Sequence, residues 1–206
     1  MKKLILTLAL AAAAAVCANA QIIVSAGYQS VTDKMEVSNY SETANLNGFY
    51  VDGTYNFTIA SGLGVQAGVG VDFTSKSETE GTSGLSETTK YTGIKLYVPV
   101  YLNYKYQLNS TLSLGAFAGP RFSYAIVDKY DVTANAGSIS TSDSYSNLDD
   151  EDFNAIGIYC DEGIFVEYAG KYRLNVGAFE QLNNQTKESD ITIKSTGFKV
   201  GLSILF

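Results

Sequence analysis

The 206-residue sequence contains no histidine and no tryptophan, and only two cysteines and two prolines. Without histidine there is no Ser-His-Asp triad, no Cys-His pair and no histidine-ligated zinc site. Two cysteines provide neither a disulfide framework nor a four-cysteine metal cage. These absences argue against an enzyme, and the sequence indicates no cofactor and no bound metal.

Basic residues are also scarce, with 14 Lys and Arg against 21 Asp and Glu. The net charge of −7 argues against nucleic-acid binding, which usually requires a basic face. Fifteen of the acids and five of the lysines lie in four polar segments, residues 32–45, 75–90, 128–152 and 183–191. The acidic run 148–152 lacks the spaced ligand pattern of an EF-hand, so we do not expect a dedicated calcium site there.

The first twenty residues have the three parts of a secretory signal peptide. A basic start precedes the apolar run 4–16, and Ala18 and Ala20 occupy the two positions of a small-residue cleavage site. A lipoprotein, cleaved before Cys17, is the alternative, but the bulky valine in front of this cysteine disfavours it. We predict a signal peptide over 1–20 and a single mature domain over 21–206.

Hydrophobic residues alternate with polar or small residues over the rest of the chain. In the run 63–73, Leu63 and Val65 share one parity, and Gly64 and Asp72 share the other, which is typical of a β-strand with one apolar face. Eight such runs follow one another: 22–31, 46–59, 63–74, 91–106, 112–127, 153–168, 171–182 and 192–206. Short turns alternate with the four polar segments, which predicts an all-β fold, an eight-stranded antiparallel up-and-down β-barrel.

Three features indicate that the apolar face of this barrel is turned outward, towards lipid. Glycines crowd the polar parity, as is needed where large side chains cross a narrow lumen. Aromatic residues of the apolar parity gather at both ends of the strands, as at the two interfaces of a bilayer. Those near the short turns are Tyr55, Phe57, Tyr104, Tyr168, Tyr172 and Phe206, and those near the polar segments are Phe49, Phe73, Phe122, Tyr124 and Phe198.

The third feature is the last strand, which has an apolar residue at every second position and ends in an aromatic. This pattern resembles the signal read by the outer-membrane barrel-assembly machinery. Its residues are Phe198, Val200, Leu202, Ile204 and Phe206. Together the three features predict a transmembrane β-barrel.

Two segments resemble strands of the small outer-membrane β-barrel proteins of Bacteroidota, which are often described as porin-like. Residues 91–106 resemble an apolar-Pro-apolar strand followed by Lys-Tyr, and residues 114–124 are similar to the strand that follows it. Residues 152–153 and 172–177 also fit the last third of that family, whereas 159–162 depart from its small residues and glycine. The resemblance extends to barrels of the OmpX and OmpA type.

The resemblance implies location and architecture, and it implies no substrate. We expect an integral protein of the Gram-negative outer membrane, with both termini in the periplasm. Its expected partners are outer-membrane lipid and lipopolysaccharide, together with periplasmic chaperones and the assembly machinery during biogenesis.

Eight charged residues fall on the lumen parity, four of each sign: Asp52, Asp72, Lys95, Arg121, Asp161, Glu167, Arg173 and Lys199. An eight-stranded barrel has a lumen just wide enough to be filled by side chains, and buried charges need partners. We therefore predict a plug of ion pairs, with the charge filter of a narrow pore as the alternative. Glu162 falls on the lipid parity, and a β-bulge near 160–163 is predicted to turn it inward. Cys160 is expected to behave as a small hydrophobic residue.

The leading functional hypothesis is a non-enzymatic outer-membrane barrel that serves envelope integrity or surface interaction through long acidic extracellular loops. The alternative is a narrow porin-like channel for small solutes, with the eight lumenal charges as its filter. A lipid-modifying enzyme is disfavoured because such barrels usually use histidine. A secreted ligand-binding barrel would enclose its apolar face instead of exposing it.

Overall fold

The computed structural model describes residues 20–38, 40–82, 85–136 and 139–206, which are built almost entirely of β-strands. The strands are β1 (Ala20–Val37), β2 (Tyr40–Ala60), β3 (Leu63–Thr82), β4 (Leu85–Gln107), β5 (Leu112–Ala136), β6 (Ile139–Ser146), β7 (Ile156–Tyr168), β8 (Tyr172–Gln181) and β9 (Ile191–Leu205). A short 3-10 helix, Asn147–Asp149, follows β6. No helix in these ranges is long and apolar enough to cross a membrane.

Eight of these strands close into a ring of antiparallel pairs. β1 pairs with β9 from Ile23 opposite Leu205 to Val37 opposite Ile191, which joins the two ends of the chain. β5 pairs with both β4 and β7, so the ring passes from β5 directly to β7. β6 does not belong to the ring. It pairs with residues 129–136 of β5, at the end of that strand away from the short turns. The prediction of an eight-stranded up-and-down barrel is confirmed.

Side chains of the ring are apolar on its outer face and polar on its inner face. Val69, Ile164 and Leu202 on the outer face are 66%, 63% and 69% exposed, whereas Gln29 and Arg121 on the inner face are each 2% exposed. Exposed apolar surface is unfavourable in water by about 25 cal/mol per Å². A continuous outer belt of this kind requires hydrocarbon around it, and the fold is that of a transmembrane β-barrel.

Aromatic side chains border the outer belt at both ends. At the end with the short turns, Tyr104, Tyr168 and Tyr172 are exposed. At the other end, Phe49 stacks on Phe73 across β2 and β3, with the ring centroids 5.3 Å apart. Tyrosine and phenylalanine prefer the interfaces of a bilayer, so the two aromatic rims mark the limits of the belt.

Glycines on the inner face leave space for aromatic rings that cross the lumen. A Cβ atom on Gly70 would collide with the ring of Tyr97, and one on Gly115 would collide with the ring of Phe165. The same relation holds for Gly27 and Gly201 with Tyr50, Gly157 with Tyr159, Gly163 with Phe117 and Gly197 with Phe179. The interpretation of the lumen-parity glycines as room for larger neighbours is confirmed at these positions.

Three of the four segments predicted as long loops are instead largely β-strand, formed by outward continuations of β1 to β5 and by the additional strand β6. β1 and β2 pair outward to Val37 and Tyr40, β3 and β4 to Thr82 and Leu85, and β5 and β6 to Ala136 and Ile139. Apolar alternation is missing there because both faces of these strands are in water. Threonine still favours a strand, and the hydroxyls of Thr79 and Thr88 lie 2.9 Å apart across β3 and β4.

Beyond the ring, the strands form two outer sheets. β2 and β3 pair from Asn47 opposite Ser75 towards the short turns, and they part on the outer side of this point. The three-stranded outer sheet consists of residues 40–46, 31–37 and 191–197. The four-stranded outer sheet consists of residues 76–82, 85–92, 129–136 and 139–146. A cleft lies between the two sheets.

The bulge predicted near 160–163 is wrong. β7 keeps one register with β5 and with β8 throughout, so that Glu162 lies opposite Ala118 and Ala178. Strict alternation therefore holds, and both Glu162 and Cys160 are exposed on the outer face. The small alanines on either side leave Glu162 uncovered.

The irregularity that the structure contains lies in β5. Ile94 of β4 is opposite Val127, but the next residue of β4, Lys95, is opposite Ala125. The extra residue in β5 reverses the parity of the strand beyond it. As a result Asp128, which the sequence placed in a loop, is buried with only 3% of its surface exposed.

Candidate functional site

The lumen is the candidate functional site, because it contains the charged side chains that strand parity selected. All eight are buried or half-buried on the inner face: Asp52, Asp72, Lys95, Arg121, Asp161, Glu167, Arg173 and Lys199. The structure brings six of them into two groups of ion pairs. The other two, Asp52 and Lys95, are hydrogen-bonded to tyrosines.

The first group, the central cluster, consists of Asp72, Arg121, Asp161 and Lys199. The Nε atom of Arg121 is 2.8 Å from Asp161 Oδ2, and its Nη1 atom is 2.9 Å from Asp72 Oδ2. The Nζ atom of Lys199 is 3.4 Å from the other carboxylate oxygen of Asp72. The cluster has no net charge, and it connects β3, β5, β7 and β9 across the lumen. Charge-assisted hydrogen bonds of this kind are short and strong, and Arg121 is held between two different carboxylates.

Aromatic rings enclose the guanidinium of Arg121. Its Cζ atom is 4.2 Å from the ring centroid of Tyr159, 5.0 Å from that of Phe179 and 5.4 Å from that of Tyr97. Cation–π contacts of this kind partly replace lost hydration when a cation is buried. These lumenal aromatics were missed in the sequence, although the parity of each strand and the facing glycines indicate them.

The second group, the short-turn cluster, consists of Lys105, Glu167 and Arg173. Glu167 accepts from both bases, with distances of 2.9 Å to Lys105 Nζ and 3.0 Å to Arg173 Nη2. Arg173 also lies over the ring of Phe165, 4.0 Å from its centroid. Lys105 was not selected in the sequence, yet it has the same parity as Lys95 on the same strand, so strict parity would have found it.

The two remaining charges are bound by phenol groups. Tyr97 donates its hydroxyl proton to Asp52 at 3.0 Å, and Lys95 donates to the Tyr159 hydroxyl at 3.3 Å. Tyr101 donates in the same way to Asp161, at 2.7 Å. Tyrosines therefore connect the charges to one another. The lumenal network combines ion pairs, hydrogen bonds and aromatic contacts.

Little space remains between these side chains. The cavities within the lumen measure about 50 Å³ beside Asp52 and Lys199, about 20 Å³ beside Arg121, and about 80 Å³ near the short turns. Volumes of this size hold one or a few water molecules. The arrangement is that of a filled lumen, whose chemistry is ion pairing and hydrogen bonding.

The residues of the predicted assembly signal lie on the outer face of β9 and at the residue that follows it. All five are exposed: Phe198, Val200, Leu202, Ile204 and Phe206. They form part of the apolar belt, and their recognition by assembly machinery stays a prediction. Of the predicted cleavage site, Ala20 begins β1 and Ala18 lies outside the described residues.

Comparisons with known proteins give a structural likeness and no sequence relative. No protein-family model matches the chain, and no curated protein matches it. The chain is similar to the attachment invasion locus protein Ail of Yersinia pestis, in complex with the heparin analogue sucrose octasulfate, with 15% identity, a TM-score of 0.45, and 91% of this chain and 99% of that chain covered.

Two further solved structures are similar to this chain at a lower TM-score. Neisserial surface protein A is 16% identical, with a TM-score of 0.40 and 90% and 97% of the two chains covered. The outer-membrane enzyme PagL is 11% identical, with a TM-score of 0.39 and 85% and 98% covered. Likenesses of this size indicate neither activity nor ligand, and an origin in Bacteroidota stays a prediction.

Proposed function

We propose that this protein is an integral outer-membrane β-barrel with a closed lumen that acts through its outer sheets, in envelope integrity or in surface interaction. It carries out no catalysis and uses no cofactor. Its short turns and both termini face the periplasm, and the two outer sheets face the medium. Lipopolysaccharide and other outer-membrane lipids surround the belt.

The observation that carries this proposal is the filling of the lumen by the central cluster. Arg121 is bonded on two sides, by Asp72 and Asp161, and is covered by aromatic rings. Barrels that conduct freely have more strands and a wider, water-filled interior. The channel alternative requires Arg121 to leave two carboxylates and its ring contacts for each solute that passes.

The outer sheets support the second half of the proposal. They extend well past the aromatic rim and carry charged and hydroxyl side chains on both faces. Short turns at the other end leave little surface outside the membrane. Most of the polar surface that this protein exposes outside the membrane therefore belongs to the outer sheets.

Conductance of the purified barrel tests the closed lumen. In planar lipid bilayers we expect no stepwise current from the wild-type protein, because the cavities do not admit hydrated ions. Arg121→Glu, which reverses the central charge, serves as the matched variant. Regular current steps in the wild type that disappear or change ion selectivity in Arg121→Glu would establish the channel alternative.

Labelling of intact cells tests the orientation. In a Cys160→Ser background, Ser142→Cys on the four-stranded outer sheet is expected to react with a membrane-impermeant maleimide. Ser61→Cys, in a short turn, is expected to react only after the cells are broken. The reverse pattern of labelling would place the outer sheets in the periplasm and contradict a surface role.

A trimmed barrel separates the two roles that the proposal joins. Tyr130 and Tyr145 are directly paired, so residues 131–144 can be replaced by Asn-Gly to give a two-residue hairpin turn. A deletion strain carrying this trimmed barrel is compared with one carrying the full chain. If the deletion strain loses resistance to detergent and the trimmed barrel restores it, the role is envelope integrity. If the deletion leaves this resistance normal but abolishes adhesion, and the trimmed barrel does not restore adhesion, the role is surface interaction. If neither property differs between the deletion strain and the full chain, the proposed role is wrong.

A further inference from the structure

A cleft lies between the two outer sheets, next to the lumen. Its volume is about 510 Å³, within the range of sites that bind small organic ligands, roughly 300–1,000 Å³. Leu46 and Tyr91, both nearly fully buried, lie at its base. Met35, Phe153 and Ile193 add apolar surface to its walls. The apolar part of a ligand bound in the cleft would therefore be shielded from water by these side chains.

Acidic side chains surround this apolar base. The cleft is bordered by Asp33, Glu42, Glu78, Asp128, Asp150, Asp152 and Glu188, and by a single lysine, Lys76. Lys76 is already paired with Glu78, at 2.7 Å. In the described part of the chain, no three acidic, histidine or cysteine side chains converge as a metal site would require. The acids instead surround a wide opening, which is better suited to an organic cation than to a bare metal ion.

Two carboxylates at the base of the cleft differ in their hydrogen bonds. Asp128, turned inward by the bulge in β5, accepts from Tyr91 at 2.9 Å and from Asn147 at 2.7 Å. Asp33 also borders the cleft, and its Oδ1 atom is buried without a hydrogen-bond partner among the described residues. A buried acceptor without a donor is unfavourable, and rotation of the Asp33 carboxylate towards a donor in the cleft removes this penalty.

We propose that the outer cleft binds an organic cation that has an aromatic or branched aliphatic body. The ammonium or guanidinium group donates to Asp33, and the body lies against Leu46 and Tyr91. Tyr91 and Tyr130, with ring centroids 5.0 Å apart, both line the cleft and add aromatic surface for the ligand. Neutral ligands lose the charge attraction, and anionic ligands are repelled by the surrounding acids.

This inference deepens the proposed surface role, since it assumes that the cleft opens to the medium outside the cell. Binding to the purified barrel does not depend on that orientation. Failure to bind therefore overturns the inference alone. A reversed labelling pattern in cells overturns the surface role and leaves the binding result standing.

Binding of tryptamine to the barrel refolded in detergent micelles tests the proposal. The chain contains no tryptophan, so indole fluorescence anisotropy reports the ligand alone. We expect saturable binding of tryptamine, none of indole-3-acetate, and weaker competition by spermidine, which has charge without an apolar body. Asp33→Asn is expected to lower the affinity by about fivefold, the loss that corresponds to one solvent-accessible ion pair.

Two further variants separate the cleft from general charge attraction. Ala44→Phe places a phenyl ring in the cleft without changing its charge and is expected to lower the affinity more than Asp33→Asn does. Asp143→Asn, on β6 outside the cleft, removes one acid in the same way as Asp33→Asn and is expected to leave the affinity unchanged. Heat-modifiable gel migration confirms that each variant is folded. Equal losses in Asp143→Asn and Asp33→Asn, unchanged binding in Ala44→Phe, or tighter binding of spermidine or Ca²⁺ than of tryptamine would overturn the proposal.

Discussion

The ring and the outer sheets use the same strands, but they arrange charge in different ways. In the ring, a charge finds its partner across the lumen, as Arg121 does with Asp72 and Asp161. In the outer sheets, three lysines each pair with an acid two residues away on the same strand. These local pairs are Lys34 with Glu36, Lys76 with Glu78 and Lys129 with Asp131.

This difference follows from the surroundings of each strand. A buried charge without its partner is strongly unfavourable, so the ring requires long-range pairs that hold several strands in register. An exposed pair is solvated and contributes roughly 0–1 kcal/mol. The ring therefore depends on its charges for stability, whereas the outer sheets can change theirs freely.

Arg121→Met gives the largest expected change. It leaves Asp72 and Asp161 buried without their shared cation, and we expect a loss of about 3–5 kcal/mol in the free energy of unfolding. Urea unfolding of the refolded barrel in lipid vesicles measures this loss. Lys129→Met, in the exposed pair with Asp131, is the matched control, with a change of at most about 0.5 kcal/mol. Equal stability of the two variants would show that the central cluster contributes nothing.

Two Gly→Ala variants compare the lumen with the outer face of the same sheet. Gly70→Ala places a methyl group into the ring of Tyr97, and we expect a loss of about 1–3 kcal/mol. Gly53→Ala meets nothing within 4 Å, and we expect no loss, or a gain of up to about 1 kcal/mol. The same urea titration measures both. A loss in Gly53→Ala as large as that in Gly70→Ala would contradict the tight packing of the lumen.

Glu162→Gln tests the lipid-facing carboxylate. Removing the charge from the outer face is expected to stabilise the barrel by about 1 kcal/mol in phospholipid vesicles. Glu80→Gln, in the four-stranded outer sheet, removes the same charge in water and is expected to change stability very little. If Glu162→Gln has no effect in vesicles, then this side chain does not lie in hydrocarbon.

The smallest expected effect concerns Asp131 in the four-stranded outer sheet. The Ser144 hydroxyl donates to Asp131 at 2.7 Å, and this bond, together with Lys129, holds the pKa of the carboxyl below its usual value. The pKa of Asp131 is lower in the folded state than in the unfolded state. The carboxylate therefore stabilises the fold above its unfolded-state pKa, and this stabilisation is lost as the pH falls through its folded-state pKa. Ser144→Ala is expected to raise the pKa of Asp131 towards its ordinary value. Carboxyl NMR titration in micelles measures the shift, and an unchanged pKa would show that Ser144 has no part in it.

Strand parity predicted much of the ring and of its lumen. The period-two pattern identified the eight strands of the ring, and parity predicted eight of the charges that line the lumen. Lys105 also lines the lumen and obeys the same rule. Parity failed at Asp128, because one extra residue in β5 reverses the face of all that follows, and no local feature of the sequence signals it.

The outer sheets were not predictable in the same way. A strand with water on both faces carries no apolar alternation, so its sequence looks like that of a loop. Thr79 and Thr88 show their pairing only when the register of the ring below is known, because the β3–β4 hairpin continues that register outward. β6 is not a strand of the ring, and its pairing with β5, as between Lys129 and Ser146, has a register of its own.

The amino-acid sequence by itself determined the number of strands in the ring, their antiparallel order and the outward direction of the apolar face, because these depend on local alternation and on short turns. Only the tertiary structure decided which charges meet, that Glu162 stays outside, and that the outer strands part into two sheets around an acidic cleft. These features depend on the stagger between strands far apart in the chain, and the stagger is set by packing across the lumen.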